Sequence, residues 1–369
     1  MHNSLLRTFT DNFWMRILLA VVAASALAQP KPQIHLSHTT ESLRGVSAVT
    51  RNVAWASGTQ GTYLRTADGG RTWLPAQVPD AGALDFRGVV AFSADEAFLM
   101  SAGPGEQSRI YHTVDGGQHW QLQFTNTNPK GFFDSMVFWD STHGIVLGDP
   151  IADEGGRLKF ELLMTSDGRT WNEIPPARLP PAMEGEGAFA ASNTCIAIMD
   201  SNIWFATGGR VARVFHSGDR GRSWQVFDTP IVQGADSEGI FSIAFRDSNH
   251  GVIAGGDYKH PEQDGPNLAF TNDGGRSWTL SQIVPQSYYS AVAYDMRRRN
   301  ARSKDLDDNQ AQVRLFLVGV KFVYDFRPPK SPARVGLGES SGIQFNAVGV
   351  YPGGGALVVG AKGLAVVIR

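Results

Sequence analysis

Charged side chains stand at the ends of several strand-like segments, where they could form a binding or catalytic site. Arg44 and Arg87 begin two consecutive segments of small and β-branched residues. Four carboxylates stand near the heads of other segments or just after the Gly that ends a segment. The candidates are therefore Arg44, Arg87, Asp134, Asp149, Glu186 and Asp257. Guanidinium groups bind oxyanions, and carboxylates can catalyse proton transfer. The alternatives for this set are caps on strand ends, which we favour, then ligand or partner binding, and then catalysis.

Motifs for other kinds of chemistry are missing from the sequence. Gly353-Gly354-Gly355 precedes a strand and not a helix, so it is no dinucleotide fingerprint. There is no CxxCH haem motif and no Gly-x-Ser-x-Gly between a strand and a helix. The nine His residues show no HExxH spacing, and His143 and His250 lie in similar Asp-rich turns. Cys195, the single cysteine, is predicted to be a small buried residue. We expect neither a metal nor a cofactor.

A motif of seven or eight residues occurs five times and organises the chain. Successive Asp residues of the motif lie 47 to 54 positions apart, a period typical of propellers. The Asp accepts hydrogen bonds from its own tight turn, Gly supplies the positive φ, and the Trp fills the space between blades. We assign structural roles to these Asp–Trp pairs: Asp68 and Trp73, Asp115 and Trp120, Asp167 and Trp171, Asp219 and Trp224, and Asp273 and Trp278.

A second pattern gives the number of repeats. Segments of small and β-branched residues are predicted to be the innermost strands of seven blades. They lie at residues 43–49, 86–92, 133–138, 187–191, 240–245, 290–294 and 345–350. The last blade shows only three strand-like runs, so residues 33–37 are expected to supply its fourth strand. The predicted fold is all-β: a seven-bladed β-propeller of four-stranded antiparallel blades, closed by pairing of the N- and C-terminal strands.

The N-terminal residues predict export. An apolar run at 17–24 is followed by Ala26-Leu27-Ala28, so residues 1–28 are predicted to be a cleaved signal peptide, with Met15 as an alternative start. The apolar run is too short to span a bilayer. Residues 29–369 are predicted to be one propeller domain in the bacterial periplasm or outside the cell. A net charge of −2 gives no argument for binding nucleic acid or anionic lipid. The basic run at 297–299 is predicted to lie in a solvated loop.

The repeated motif matches the Asp-box, Ser/Thr-x-Asp-x-Gly-x-Thr/Ser-Trp, also called the BNR repeat, of sialidase-like propellers. WD40 and kelch signatures are missing. The repeat plan, from residues 42–46 to 360–363, resembles the photosystem II stability/assembly factor-like family. Its exported members are seven-bladed propellers, and the resemblance implies a chaperone-like scaffold. The chain departs from the family pattern in the shortened third Asp-box and in a charged insertion around residues 297–308.

We predict an exported, monomeric, non-enzymatic propeller that binds a protein partner, such as an envelope or membrane complex, as an assembly or stability factor. No nucleic acid and no membrane span after signal cleavage are expected. The alternative is a glycan-binding or glycoside-hydrolysing propeller. A sialidase would need three Arg residues, and Arg44 and Arg87 lack a third at an equivalent position. Two carboxyl groups about 5 to 9.5 Å apart in an open cleft would favour hydrolysis.

Overall fold

The computed structural model describes residues 32–175, 178–282, 287–295, 314–327, 333–335 and 343–369. These described residues belong to one compact unit. The predicted signal peptide, the domain boundary that follows it and the basic run at 297–299 lie outside the described residues, and they remain predictions. Within the described ranges, no helical segment has the length and hydropathy that crossing a bilayer requires.

The described residues form seven β-sheets, one for each blade. The chain begins with β1 (Gln33–Leu36), which belongs to the last blade. Blade 1 consists of β2 (Leu43–Ala48), β3 (Ala54–Gly58), β4 (Thr62–Thr66) and β5 (Leu74–Gln77). Blade 2 consists of β6 (Asp85–Ala91), β7 (Ala97–Ala102), β8 (Arg109–Thr113) and β9 (Gln121–Thr125). Blade 3 consists of β10 (Phe133–Asp140), β11 (His143–Ala152), β12 (Leu158–Thr165) and β13 (Asn172–Glu173). Within each of these three blades, neighbouring strands are antiparallel and follow chain order outward.

Blades 4 to 7 continue this plan. Two short strands, β14 (Glu186–Gly187) and β17 (Gly208–Gly209), add to the inner edge of blade 5. Blade 4 consists of β15 (Ile196–Met199), β16 (Asn202–Ala206), β18 (Arg213–Ser217) and β19 (Gln225–Asp228), and blade 5 of β20 (Glu238–Phe245), β21 (Gly251–Asp257), β22 (Leu268–Thr271) and β23 (Thr279–Leu280). Blade 6 consists of β24 (Ala291–Tyr294), β25 (Leu315–Gly319), β26 (Phe322–Phe326) and β27 (Ala333–Arg334). Blade 7 contains β28 (Phe345–Val350), β29 (Ala356–Gly360) and β30 (Leu364–Ile368).

The ring closes as predicted. Strand β1 pairs antiparallel with β30, and Gln33 lies opposite Val367 while Leu36 lies opposite Leu364. Blade 7 therefore takes its outermost strand from the start of the described chain. Closure in this way leaves only short sheet edges exposed. The predicted all-β, seven-bladed fold is confirmed.

The inner strand predicted at residues 187–191 is wrong. Only Gly187 of that segment lies in a strand, β14, and the innermost strand of blade 4 is β15. The segment between β14 and β15 leaves the sheet and includes Asn193, whose φ is +63°. Residues 187–191 have the composition of an inner strand, but composition does not decide which of two neighbouring runs pairs with β16.

The hydrophobic core is divided among the joints between blades. Each of the seven clusters in the described residues combines side chains from two adjacent blades. The Asp-box Trp residues take part: Trp73 packs with Tyr351 and Val367 of blade 7, and Trp120 lies edge-on to Trp55 of blade 1. Large aromatic rings bury much apolar surface and prefer such edge contacts. Each box therefore stabilises the joint to the preceding blade.

The Asp-boxes are tight turns between the third and fourth strands. In the first box, Asp68 Oδ1 accepts hydrogen bonds from Thr72 N at 2.9 Å and Thr66 Oγ1 at 2.9 Å. Hydrogen bonds from the residue four positions on lower the pKa of Asp68, Asp115 and Asp219 to about 2. A hydrogen bond from Thr170 N lowers the pKa of Asp167 to about 2 in the shortened box. Burial raises the pKa of Asp273, but hydrogen bonds from Ser277 outweigh it and bring the value to about 2. In all five boxes the Asp carboxylate therefore accepts hydrogen bonds from its own turn.

Candidate functional site

β-Bulges at the heads of the inner strands position the candidate residues. In five blades the pairing of the first two strands skips one residue near the start of the inner strand. The skipped residues are Arg44, Arg87, Asp134, Phe241 and Asn346. A bulge leaves its extra residue outside the ladder and re-aims its side chain. All five line one cavity of about 440 Å³ at the mouth of the central channel, which we call the mouth cavity. We call this side of the ring the mouth face, and the opposite side, which carries the Asp-boxes, the box face.

The residue after each bulge is small because neighbouring inner strands crowd together. A Cβ added at Gly45 would lie 2.9 Å from the carbonyl oxygen of Arg87 in the next blade. A Cβ added at Gly88 would lie 2.8 Å from Asn193 Oδ1. Distances this short exclude larger side chains without movement of the backbone. The pattern of a charged residue followed by a small one therefore has a steric cause, and it fixes where the charged residue points.

Two guanidinium groups share one carboxylate on the first wall of the mouth cavity. Asp85 Oδ2 lies 2.9 Å from Arg87 Nε, and Asp85 Oδ1 lies 3.6 Å from Arg44 Nε. Arg87 Nη1 also donates to the carbonyl of Ala190 at 2.8 Å. Burial lowers the pKa of Arg44, and Asp85 opposes that change. These three residues carry a net positive charge, which can attract a carboxylate or a carbonyl oxygen of a ligand.

A buried carboxyl group, Asp134, and a half-buried one, Asp149, form the adjacent wall. Asp134 is only 1% exposed, and its Oδ2 has no hydrogen-bond partner in the described residues. Burial raises the pKa of Asp134 well above its usual range; Asp149 and Glu161 add to this, and Arg87 opposes it. Burial also raises the pKa of Asp149 to about 6, against a hydrogen bond from Ala188 N at 2.9 Å. The neutral carboxyl group is favoured at Asp134, so this wall can donate a hydrogen bond as well as accept one.

Aromatic rings form the third wall. Phe189 and Phe241 stack with ring centroids 3.9 Å apart, and Tyr288 meets Phe241 edge-on at 4.8 Å. Tyr258 contacts both Phe rings and is 47% exposed. Exposed aromatic surface beside polar groups is typical of sites that bind apolar or aromatic side chains.

The segment of residues 188–195, which we call the crosspiece, fixes the floor of the cavity. Its residues 188–191 line the cavity. Ala190 accepts from Arg87 of blade 2, and Asn193 Oδ1 accepts from Met136 N of blade 3 at 2.7 Å. Ser192 Oγ donates to the Ser290 carbonyl beside blade 6 at 2.8 Å, and Thr194 Oγ1 lies 2.7 Å from Ser242 Oγ of blade 5. Contacts to four blades hold the crosspiece across the channel, so the mouth cavity is a pocket with a rigid floor.

Two of the six predicted site residues do not line this cavity. Glu186 is fully buried and forms a bidentate ion pair with Arg213, with Nη2–Oε2 at 2.6 Å and Nε–Oε1 at 3.0 Å. Thr207 Oγ1 donates to the same carboxylate at 2.7 Å, so the contacts of Glu186 stabilise the fold and do not face a ligand site. Asp257 accepts from Lys259 N at 2.9 Å and pairs with His260 Nδ1 at 2.6 Å within its own turn. The structure brings together the other four: Arg44, Arg87, Asp134 and Asp149.

Sequence reasoning missed Asp85 and the aromatic wall. Asp85 stands two positions before Arg87, and residues two apart on a strand share a face, so this ion pair could have been found. Phe241 occupies the bulge position of its blade but carries no charge, so a pattern of charged residues does not mark it. Phe189 has no usable sequence signal, because residues 187–191 have the composition of an inner strand although the structure places Phe189 outside the sheet. Among the described residues, no group of three or more His, Cys, Asp or Glu side chains is placed to hold a metal ion.

Comparisons with known proteins agree with the fold and with the repeat plan. A family model described as Photosynthesis system II assembly factor YCF48 matches residues 23–131. The photosystem II assembly protein Ycf48 of Thermosynechococcus vestitus is 23% identical, over 76% of this chain and 84% of its own length. A solved structure of YCF48 from Cyanidioschyzon merolae has a TM-score of 0.63, covering 92% of this chain and 99% of that chain, at 16% identity. The resemblance to the photosystem II stability/assembly factor-like family is confirmed.

The plant relatives match only a part of their length. The photosystem II stability/assembly factor HCF136 of Oryza sativa is 31% identical over 101 residues, which are 27% of this chain and 22% of that protein. A structure of YCF48 bound to D1 peptide has a TM-score of 0.61 and 16% identity, covering 94% of this chain and 99% of that chain. Likeness at this level of identity shows the fold alone, because one fold carries many unrelated functions. The function of the chain has to be argued from its own mouth cavity.

Proposed function

We propose that this protein is an exported, non-enzymatic assembly or stability factor that binds a segment of a client protein in the mouth cavity. The observation that carries the proposal is the cavity itself, in which guanidinium groups, carboxyl groups and aromatic rings converge on one pocket. The resemblance to Ycf48 and HCF136 supports the assembly role. The YCF48 structure with a bound peptide supports a protein client.

The three walls offer what an extended polypeptide presents. Arg44 and Arg87 can donate hydrogen bonds to a carboxylate or to backbone carbonyls. Asp134 and Asp149 can accept from backbone N–H groups. The Phe189 and Phe241 rings, with Tyr258 at the rim, can cover an apolar side chain of the client. The crosspiece is held by hydrogen bonds from four blades, so we expect little change of shape on binding.

The experiment that tests this function is capture of the client, followed by loss of capture in a variant. The protein would be cross-linked mildly in its native envelope fraction, purified, and its retained partners identified by mass spectrometry. We expect one envelope or membrane protein in comparable amount. The double variant R44Q/R87Q should weaken the affinity for that client by about tenfold or more, without loss of folding.

The matched control is R222Q/R276Q. Arg222 and Arg276 are exposed and lie in Asp-boxes on the box face, so this variant removes the same number of charges from the other face. If both double variants weaken binding equally, the mouth cavity is the wrong site. If the wild-type protein retains no protein at all, the client proposal fails.

Export is part of the same proposal. Residues 1–28 would be removed, leaving Gln29 at the start of a monomeric periplasmic or secreted protein. N-terminal sequencing of the protein from the periplasmic fraction should begin at Gln29. An intact N-terminus in a cytoplasmic fraction would contradict this.

Glycan binding or glycoside hydrolysis is a second candidate, because the two carboxyl groups of the mouth cavity have raised pKa values. A carboxyl group that stays protonated near neutral pH can act as a general acid. Two observations argue against catalysis: Asp134 is almost fully buried, and Glu186 forms an ion pair with Arg213. Fluorogenic glycosides, sialosides included, test the candidate: hydrolysis that is lost in D149N would favour it over client binding.

A further inference from the structure

A second cavity, of about 300 Å³, lies on the box face at the joint where the ring closes. We call it the closure cavity. It is lined by Arg51 and Arg71 of blade 1 and by Tyr351, Gly353 and Arg369 of blade 7. Strands β30 and β1 come from distant parts of the sequence, so no hairpin turn joins them at this face. The joint is therefore more open than those where an Asp-box links the third and fourth strands.

Three guanidinium groups surround the closure cavity, and none of them forms an ion pair with another described residue. Arg51 Nη2 donates to the carbonyl of Gly353 at 3.1 Å, which fixes its direction across the joint. Arg71 makes only a long contact, 3.4 Å, to the carbonyl of Asp68. A Cβ added at Gly69 would lie 3.6 Å from Arg369 Nη2, so Arg369 reaches over the first Asp-box.

The carboxylate of that box, Asp68, is ionised at neutral pH because its pKa is about 2, but one negative charge offsets only part of the charge of three guanidinium groups. Asp68 accepts from Thr72 N, Thr72 Oγ1 and Thr66 Oγ1, and these bonds occupy both of its oxygens. The positive field also reaches His35 on β1. Burial lowers the pKa of His35, and Arg369 and Arg71 lower it further, while Asp68 acts in the opposite direction. The closure cavity therefore keeps a net positive charge.

An unpaired donor completes the arrangement. Tyr351 lines the closure cavity, is 5% exposed, and its hydroxyl group has no hydrogen-bond partner in the described residues. A buried hydroxyl group without a partner destabilises the folded state. Burial raises the pKa of Tyr351 to about 12 against the effect of Arg369. The hydroxyl group therefore keeps its proton at neutral pH and can donate to a ligand.

We propose that the closure cavity is a binding site for a phosphate or sulfate group, held by Arg51, Arg71, Arg369 and the hydroxyl group of Tyr351. A tetrahedral oxyanion offers oxygens in several directions and up to two negative charges, which suits donors that converge from two blades. Arginine binds such groups with paired N–H donors. The volume also admits part of a molecule that carries the phosphate group, so the ligand is either the free ion or a small phosphate ester.

Calorimetric titration of the purified protein with inorganic phosphate and with glycerol 3-phosphate at low ionic strength tests this site. We expect at least one of the two compounds to bind saturably with a stoichiometry of one. Tighter binding of glycerol 3-phosphate would identify a phosphate ester as the ligand. Equal affinity for both compounds would identify the free ion. R51Q and R369Q should each weaken binding by about tenfold, because each removes a charge-assisted hydrogen bond. R222Q is the control, because Arg222 holds in the Asp-box of blade 4 the position that Arg71 holds in blade 1. If phosphate is attracted to surface arginines in general, R222Q should weaken binding as much as R51Q and R369Q do.

Y351F separates binding from structure. It removes only the unpaired hydroxyl group, so its melting temperature without phosphate should equal or exceed that of the wild type, while its affinity for phosphate falls. The stabilisation of the wild type by phosphate should shrink in the same variant. Either no saturable binding by the wild type up to millimolar concentration, or equal affinity in wild type, R51Q and R369Q, would overturn the proposal.

Discussion

The mouth face and the box face use the same residue type in opposite ways. On the box face, five half-buried or exposed Asp carboxylates are hydrogen-bonded by their own turns and have lowered pKa values. On the mouth face, Asp134 is buried and Asp149 is half-buried, and desolvation raises the pKa values of both. Hydrogen bonds to the charged form lower a carboxyl pKa, and burial raises it. The box carboxylates thus stabilise the fold, and the mouth carboxylates destabilise it in order to shape a pocket.

The largest effect on stability is expected at Glu186. The sequence predicts this residue at the mouth face, but its buried ion pair with Arg213 is structural. E186A leaves Arg213 buried without its partner, so the free energy of unfolding should fall by about 3–5 kcal/mol. Urea-induced unfolding followed by Trp fluorescence measures this.

The control for Glu186 is the double variant E186L/R213M, which replaces both charges by apolar groups of similar size. It should recover a large part of the loss, since no unpaired charge remains. A loss in E186A below about 1 kcal/mol would mean that the ion pair is weak and that Glu186 is free to take part in binding.

The next effect is the pH dependence of the mouth carboxylates. Because the folded pKa of Asp149 is about 6, above that of the unfolded chain, the folded state binds more protons between the two values. Asp149 therefore costs stability as pH rises through this range, and the full cost, about 3 kcal/mol, is present above pH 6. D149N should raise the free energy of unfolding at pH 7.5 and leave it nearly unchanged at pH 3.5. A loss of stability in D149N at pH 7.5 would contradict the buried environment of Asp149.

The box face predicts the opposite sign. The folded pKa of Asp219 is about 2, below that of the unfolded chain, so its stabilisation is present above the unfolded value and is lost as pH falls through about 2. D219N should lower the melting temperature at pH 7 by a few degrees, a smaller effect than that of D149N, and the difference should shrink toward pH 2. D115A should likewise lower the melting temperature. Equal melting temperatures for D115A and the wild type would break the account of the Asp-box as a stabilising turn.

The fold was more predictable than the site, and particular residues show why. The Asp-box turn is largely local: Thr72 N donates to Asp68 Oδ1 and Gly70 N donates to Thr66 Oγ1, all within a few positions, so the spacing of these residues alone indicates the turn. The closing strand β1 was predicted because one strand of the last blade was missing. The mouth cavity depends on residues from distant blades. Asp149 lies beside Ala188 only because the crosspiece leaves blade 4, and no local pattern marks that departure.

The smallest expected effect on stability is at the rim of the mouth cavity. Tyr258 is 47% exposed, so Y258A should change the free energy of unfolding by less than about 0.5–1 kcal/mol. If its ring covers an apolar side chain of the client, the same variant should weaken client affinity several-fold, because aromatic residues dominate binding energy at protein interfaces. Leu122 offers the control, since it is also an exposed apolar residue but lies on the outermost strand of blade 2. L122A should leave the affinity for the client unchanged. If Y258A and L122A weaken client binding equally, the mouth cavity is not the binding site.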